Sequence, residues 1–273
     1  MEKNMLDALL KDFGAAGARL DHLAAVEAGA GNMSACLAAD VEVPASFEKL
    51  DAAFQLPMAA KPLEGHTVLV TGSGCRLRDL ATEPEVNLSI LKVNEGGETA
   101  QWFAHPDRHF QKPTSEFNSH LAVHSDTVDR TGRAENFLIH AQPPKLVLLS
   151  HIDELRNDRD FNRTIMRWEP ETIVQMPQGI KVLEYMVPGS DELMQANVAG
   201  LREHRITLWS KHGLMGISGT GLLDIVDKIE YVEAGATYEV NSRMIQTEPK
   251  PRGLSDEEIS RVIKAFGVQT SIW

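Results

Sequence analysis

The chain has 273 residues, 42% of them hydrophobic and 24% charged, and a formal net charge of −12. A chain of this size and composition can bury a sizeable core, and its acidic balance sets aside nucleic acid and anionic membranes as main partners. Cys36 and Cys75 make no disulfide framework and read as small core residues. The start, Met1-Glu2-Lys3-Asn4-Met5, lacks a basic region followed by a long apolar run, and no stretch reaches ~18 apolar residues, so a cytoplasmic, reducing setting is expected.

Leu6, Leu9, Leu10, Phe13, Leu20, Leu23 and Val26 recur at helical spacing, so residues 5–28 read as an amphipathic helix. Ala28-Gly29-Ala30-Gly31-Asn32 ends it with residues that can take positive φ. Met33 to Leu37 reads as a short strand, and residues 40–65 as an irregular surface excursion. His66 to Thr71 is a strand by its β-branched content. It runs into Gly72-Ser73-Gly74, a turn that lets a ligand approach the backbone and adds a hydroxyl. No Gly-Lys-Ser/Thr follows, so it is not a P-loop.

Leu88–Val93 and Thr99–Ala104 read as a hairpin around Asn94-Glu95-Gly96-Gly97-Glu98. After Pro113 a helix is expected, capped by Thr114 or Ser115, with Glu116 near its first turn. His120 and His124 lie at i and i+4 on it and read as packing or surface residues, because no His-Glu-x-x-His pattern is present. Asn136 to His140 is a buried strand. A helix opens at Pro143-Pro144 with Leu146, Val147, Leu148, Leu149 and Ile152 inside it and His151 in its last turn, and residues 153–164 read as a solvated charged face.

Thr172 to Val174 and Val182 to Tyr185 read as strands about a turn at Met176-Pro177-Gln178-Gly179. Ser190 caps a helix that runs to about His204, and a strand at 206–209 leads to His212. Gly221 to Val240 is a long helix. Ser255-Asp256-Glu257-Glu258 is a capping box for the last helix, which stops near Gly267. The terminal Trp273 is expected to dock on another subunit. The order predicts an α/β fold: one domain over residues 1–273, with a mainly antiparallel central sheet flanked by helices on both sides.

Three residues stand out where a strand or turn meets a helix: Glu116, His140 and His212. Two neutral imidazoles and a carboxylate can hold a divalent ion with a position left for substrate. The competing reading makes them unrelated cap and core residues.

Thr71-Gly72-Ser73-Gly74, Pro113-Thr114-Ser115-Glu116, the strand into His140, Met186-Val187-Pro188-Gly189-Ser190-Asp191-Glu192 and Lys211-His212-Gly213 come in an order that resembles the class II aldolases, and among them the branch acting on rhamnulose 1-phosphate. The resemblance runs from the first helix to the last. It implies retro-aldol cleavage of L-rhamnulose 1-phosphate to dihydroxyacetone phosphate and L-lactaldehyde, with one Zn²⁺ per chain as Lewis acid. It implies His140 and His212 as metal ligands and Glu116 as the group that moves the proton. It places the substrate phosphate among Asn32, Ser73, Gly74, Thr114 and Ser115. It matches Glu171 to a glutamate that reaches into a neighbouring subunit's site, in a homotetramer with sites at subunit interfaces.

Two positions depart from the family pattern. Where the family has His-x-His this chain has His140-Ala141-Gln142, and Gly29 replaces an Asn at the phosphate. An amide oxygen at Gln142 is a weaker, harder ligand than imidazole. Three readings of Gln142 stand: a variant ligand in a working aldolase, a site for another ion such as Mn²⁺ or Co²⁺, or a chain that has lost catalysis. Alternative functions are a sibling aldolase or epimerase on another ketose or pentulose phosphate such as fuculose 1-phosphate, and a non-catalytic adducin-like assembly protein.

Overall fold

A computed structural model of the chain describes residues 3–38 and 41–273. Ten strands form one sheet: β1 (Asn32–Leu37), β2 (Glu48–Lys49), β3 (Phe54–Gln55), β4 (Thr67–Thr71), β5 (Leu88–Val93), β6 (Thr99–Ala104), β7 (Asn136–Ala141), β8 (Lys181–Leu183), β9 (Ile206–Trp209) and β10 (Gly213–Ser218). Their order is β2-β6-β5-β4-β1-β7-β10-β9-β8, with β3 also on β6. The β8–β9 pair is parallel and the other pairs are antiparallel. The helices are α1 (Lys3–His22), α2 (Phe117–Thr131), α3 (Pro144–Leu149), α4 (Asp158–Met166), α5 (Pro170–Gln175), α6 (Asp191–Leu201), α7 (Leu222–Met244) and α8 (Asp256–Phe266). No helix is long and apolar enough to cross a membrane among the described residues.

Strand alternation sorts the side chains into two layers. Met33, Ala35 and Leu37 of β1, with Phe137, Ile139 and Ala141 of β7, join α1, α3, α4, α5 and α7 in one core. Cys36, Val68, Val70 and Leu91 pack under Phe117 and Leu121 of α2, and Leu138, Trp209 and Met215 under α6. Polar side chains interrupt this second layer beneath α2: Asn32, Ser34, His120, His124, Asn136 and His140 are all buried. Burial drives the Cys36 thiol up to about 12 and the Cys75 thiol to about 11, so both stay protonated.

The expected helix over 5–28 stops at His22. Ala24 turns left-handed at φ 55°, and the bonds Ala25 N–H to Leu20 C=O and Ala24 N–H to Asp21 C=O, both 2.9 Å, close the end. This is a Schellman stop with Ala where Gly is usual, which is why Gly29 looked like the terminus. The stretch 40–65 is largely irregular, but β2 and β3 within it pair with β6. Its first residue, Asp40, lies outside the described residues.

The charged residues of 153–164 are largely exposed, as expected, but the segment also forms a helix that reaches the core. Asn157 caps α4, and Phe161, Ile165 and Met166 enter the core. The expected strand at 172–174 is α5. Pro170 sits in its first turn, where its fixed φ and missing N–H suit a helix, and this outweighs the β-branched Thr172, Ile173 and Val174. The next strand starts at Lys181 and ends at Leu183, short of Tyr185.

β10 gave no alternation to read because all six of its residues are buried. α3 ends at Leu149, leaving His151 and Ile152 beyond it, and α6 ends at Leu201. The Ser190 cap, the Ser255–Glu258 capping box and the left-handed stop at Gly267 form as expected. Trp273 packs on its own chain, beneath the guanidinium groups of Arg163 and Arg167 at 4.9 and 5.8 Å.

Candidate active site

His140 comes from the middle of the sheet. Register places it opposite Asn32 of β1 and Met215 of β10. Its Nδ1–H donates to the Leu214 carbonyl at 2.8 Å, which fixes the ring orientation and turns Nε2 toward Glu116. Its ring stacks on Trp209, with 4.5 Å between centroids and 17° between planes. His212 sits in the β9–β10 turn, which reverses through Lys211 at φ 65°. Gly213 is required here, since a Cβ would lie 2.5 Å from the Ala141 carbonyl and 2.9 Å from His140 Cε1.

Glu116 precedes α2. The expected caps Thr114 and Ser115 do not cap this helix. Glu116 itself occupies the N-cap position, and its carboxylate makes no capping bond. That carboxylate turns into the sheet. Oε2 accepts from Asn32 Nδ2 at 2.8 Å and lies 3.4 Å from His140 Nε2, and Oε1 lies 3.8 Å from His212 Nε2. The ligand atoms of the three residues fall within 4.8 Å of one another. Glu116 Oε1 and His212 Nδ1 are buried without a hydrogen-bond partner, and an orphaned buried oxygen is costly unless something else meets it. Burial and the nearby His140 hold the His212 imidazole down to about 4 from its ordinary 6.5, against the opposing pull of Glu116, so it is neutral and able to donate a lone pair near neutral pH. Donor set, spacing and orphaned atoms all fit a divalent cation.

These groups line one cavity of about 230 Å³, which also holds Asn32, Ser73, Gly74, Thr114, Ser115 and Gln142, with Pro188 at its rim. Every expected site residue but one is therefore together. The exception is Glu171, exposed on α5 and not part of the cavity lining. The loops are held by the backbone: Ser73 N–H donates to the Lys112 carbonyl at 2.9 Å and Thr114 N–H to the Thr71 carbonyl at 3.0 Å. The Ser73 N–H is thus spent, and its hydroxyl is the group left for a ligand. With its amide nitrogen turned toward Glu27, Gln142 donates to both carboxylate oxygens at 2.7 and 3.1 Å.

The sequence reading missed part of the site. His120 and His124 are fully buried beneath the cavity and bonded to Ser34 at 2.6 and 2.7 Å. Their i, i+4 spacing was visible, but the matching Asn32-x-Ser34 on β1 gives it meaning. Trp209 as the floor under His140 left no signal in the sequence.

The description "Class II Aldolase and Adducin N-terminal domain" matches residues 11–240. The chain belongs to the class II aldolase and adducin family. It is 30% identical over 247 residues to a rhamnulose-1-phosphate aldolase of Klebsiella pneumoniae (strain 342), covering 89% of this chain and 87% of that one. It is 28% identical over 275 residues to a rhamnulose-1-phosphate aldolase of Listeria monocytogenes serotype 4b (strain F2365), covering 98% and 97%. The crystal structure of a sugar-phosphate aldolase from Thermotoga maritima superposes with a TM-score of 0.75 at 25% identity, over 90% of this chain and 99% of that one. The class II aldolase fold, with its large sheet between helical layers, is shared with that structure.

Proposed function

We propose that this chain is a metal-dependent aldehyde-lyase that cleaves L-rhamnulose 1-phosphate to dihydroxyacetone phosphate and L-lactaldehyde. One observation carries the reading: a buried carboxylate, Glu116, faces two imidazoles with one oxygen unpartnered. A residue kept only for structure would cap α2 or pair both oxygens, and Glu116 does neither. This speaks against a non-catalytic assembly protein on the same fold.

In this reading His140 and His212 hold the cation, with Glu116 beside them. The bound ion, Zn²⁺ first, supplies Lewis-acid polarisation of the substrate carbonyl. Asn32 fixes Glu116 through Oε2 and leaves Oε1 to carry the proton. As the C3–C4 bond of the ketose breaks, the C4 hydroxyl gives its proton to Glu116 Oε1 and becomes the aldehyde, and Glu116 then passes that proton to C3. The hydroxyls of Ser73, Thr114 and Ser115, the Gly74 backbone and the second amide N–H of Asn32 cradle the phosphate, close to the N-terminus of α2. Glu171, exposed on α5, serves the cavity of a neighbouring copy in a homotetramer.

Gln142 turns its nitrogen to Glu27, so its oxygen is the amide atom left for a cation. That supports a weaker, harder third ligand and a site that accepts Mn²⁺ or Co²⁺ beside Zn²⁺. A coupled assay comparing L-rhamnulose 1-phosphate with L-fuculose 1-phosphate tests the substrate. The expected result is dihydroxyacetone phosphate released faster from the first, and faster release from the second would move the assignment to the sibling sugar.

A further inference from the structure

Glu116, His120 and His124 repeat every four residues along α2, a rise of about 6 Å per step. Asn32 and Ser34 repeat every two along β1, about 6.7 Å per step. The two repeats match closely enough for helix and strand side chains to mesh into one ladder. Asn32 bridges Glu116 and His120, Ser34 bridges His120 Nδ1 and His124 Nε2 at 2.6 and 2.7 Å, and His124 Nδ1 meets Asn136 Oδ1. Asn136 enters from β7, opposite Cys36. No rung is more than 7% exposed.

Counting hydrogens gives the ladder a direction. A carboxylate only accepts, so the Asn32 nitrogen faces Glu116 and its oxygen faces His120. His120 Nε2 must then carry the ring proton, and Nδ1 accepts from Ser34. Ser34 has one hydrogen, now spent, so it accepts from His124 Nε2–H. His124 Nδ1 is left bare and needs a donor. Asn136 lies with Oδ1 toward Nδ1 and its nitrogen unpartnered, and reversing that amide supplies the donor at no change of shape. The other solution, a doubly protonated His124, puts an unpaired charge in a fully buried position with no carboxylate beside it.

We propose that Asn136, His124, Ser34 and His120 form a one-directional donor chain ending through Asn32 on Glu116 Oε2, and that Ser34 and His120 are positioning residues for that carboxylate. Aligned donors polarise one another, and the chain locks the Glu116 rotamer so that Oε1 faces His212 and the cavity. This rests on the reading of Glu116 as the proton carrier, but its first test needs no substrate.

In ¹⁵N-histidine NMR of the full chain near neutral pH, His120 and His124 should both be neutral with the hydrogen on Nε2. A doubly protonated His124, or an Nδ1–H tautomer in either ring, overturns the proposal even if the protein proves to be an active aldolase. In the active protein, Ser34→Ala should lower kcat roughly 10- to 100-fold, as expected of a misplaced proton carrier, with KM and metal per chain unchanged. His120→Gln, which can still donate to Asn32, should keep more turnover than His120→Leu. Unchanged kcat in Ser34→Ala, or equal losses in the two His120 variants, overturns it. Should Ser34→Ala not fold, the tautomer measurement on the unaltered chain decides alone.

Discussion

Glu116 meets His140 with Oε2 at 3.4 Å from Nε2, and the two arrive from different layers: the carboxylate from the start of α2, the imidazole from the centre of the sheet. Neither closes a local motif of its own. Their meeting is therefore a property of the tertiary fold.

Glu116→Gln keeps the shape and removes the acid. Turnover should fall about 10²- to 10⁴-fold, the range for losing a general acid–base group, while far-UV circular dichroism stays unchanged. Activity near that of the unaltered protein would remove Glu116 from the mechanism.

Gln142→His replaces an amide with an imidazole beside His140 and breaks the bonds to Glu27. Zinc should bind more tightly in competition with a chelator dye, since imidazole suits zinc better than an amide oxygen. Unchanged affinity would mean that the residue 142 side chain does not reach the ion.

The buried histidines predict an acid-sensitive fold. Burial holds His124 down to about 4 and pushes His120 down as well. An unfolded histidine takes up its proton near ~6.5, so between that pH and about 4 the unfolded chain binds protons that the folded chain refuses. Stability is then full above pH ~6.5 and lost as the pH falls, with His124 alone accounting for about 3 kcal/mol. Urea denaturation from pH 7 to 4.5 should show this loss, and a shallower one in His124→Gln. A flat profile would place these rings in contact with water.

Phe161 of α4 is fully buried. Phe161→Ala should cost about 3–5 kcal/mol in denaturant unfolding, the usual penalty for emptying an aromatic core site. A loss under about 0.5 kcal/mol, typical of a surface position, would place Phe161 outside the core.

The charges of residues 153–164 explain what the sequence hid. In α4, acidic and basic residues outnumber the three apolar ones that anchor it, so periodicity is faint over a short helix. α5 was masked by three β-branched residues in a row, and only Pro170 spoke for a helix. β10, buried on both faces and containing Gly213 and Gly216, resembles neither an alternating strand nor a helix. The hairpin of β5 and β6 was legible because its strands flank a Gly-Gly turn. Within the site, Glu116, His140 and His212 were legible as a carboxylate and two imidazoles at element ends, and Asn32, Ser73, Gly74, Thr114, Ser115 and Gln142 only through the resemblance to class II aldolases; all nine line one cavity. The ladder from Asn136 to Asn32 was not, because it depends on how α2 registers over β1, and that spacing is set by packing.

The central claim is that a cation held by His140 and His212 works with Glu116 to break a carbon–carbon bond in a ketose 1-phosphate. The direct measurement is dihydroxyacetone phosphate release from L-rhamnulose 1-phosphate by metal-replete protein, after chelation, and after zinc or manganese is restored. Release, its loss on chelation and its return with the ion are expected. No release from the metal-replete protein, or release that survives removal of the metal, would contradict that claim.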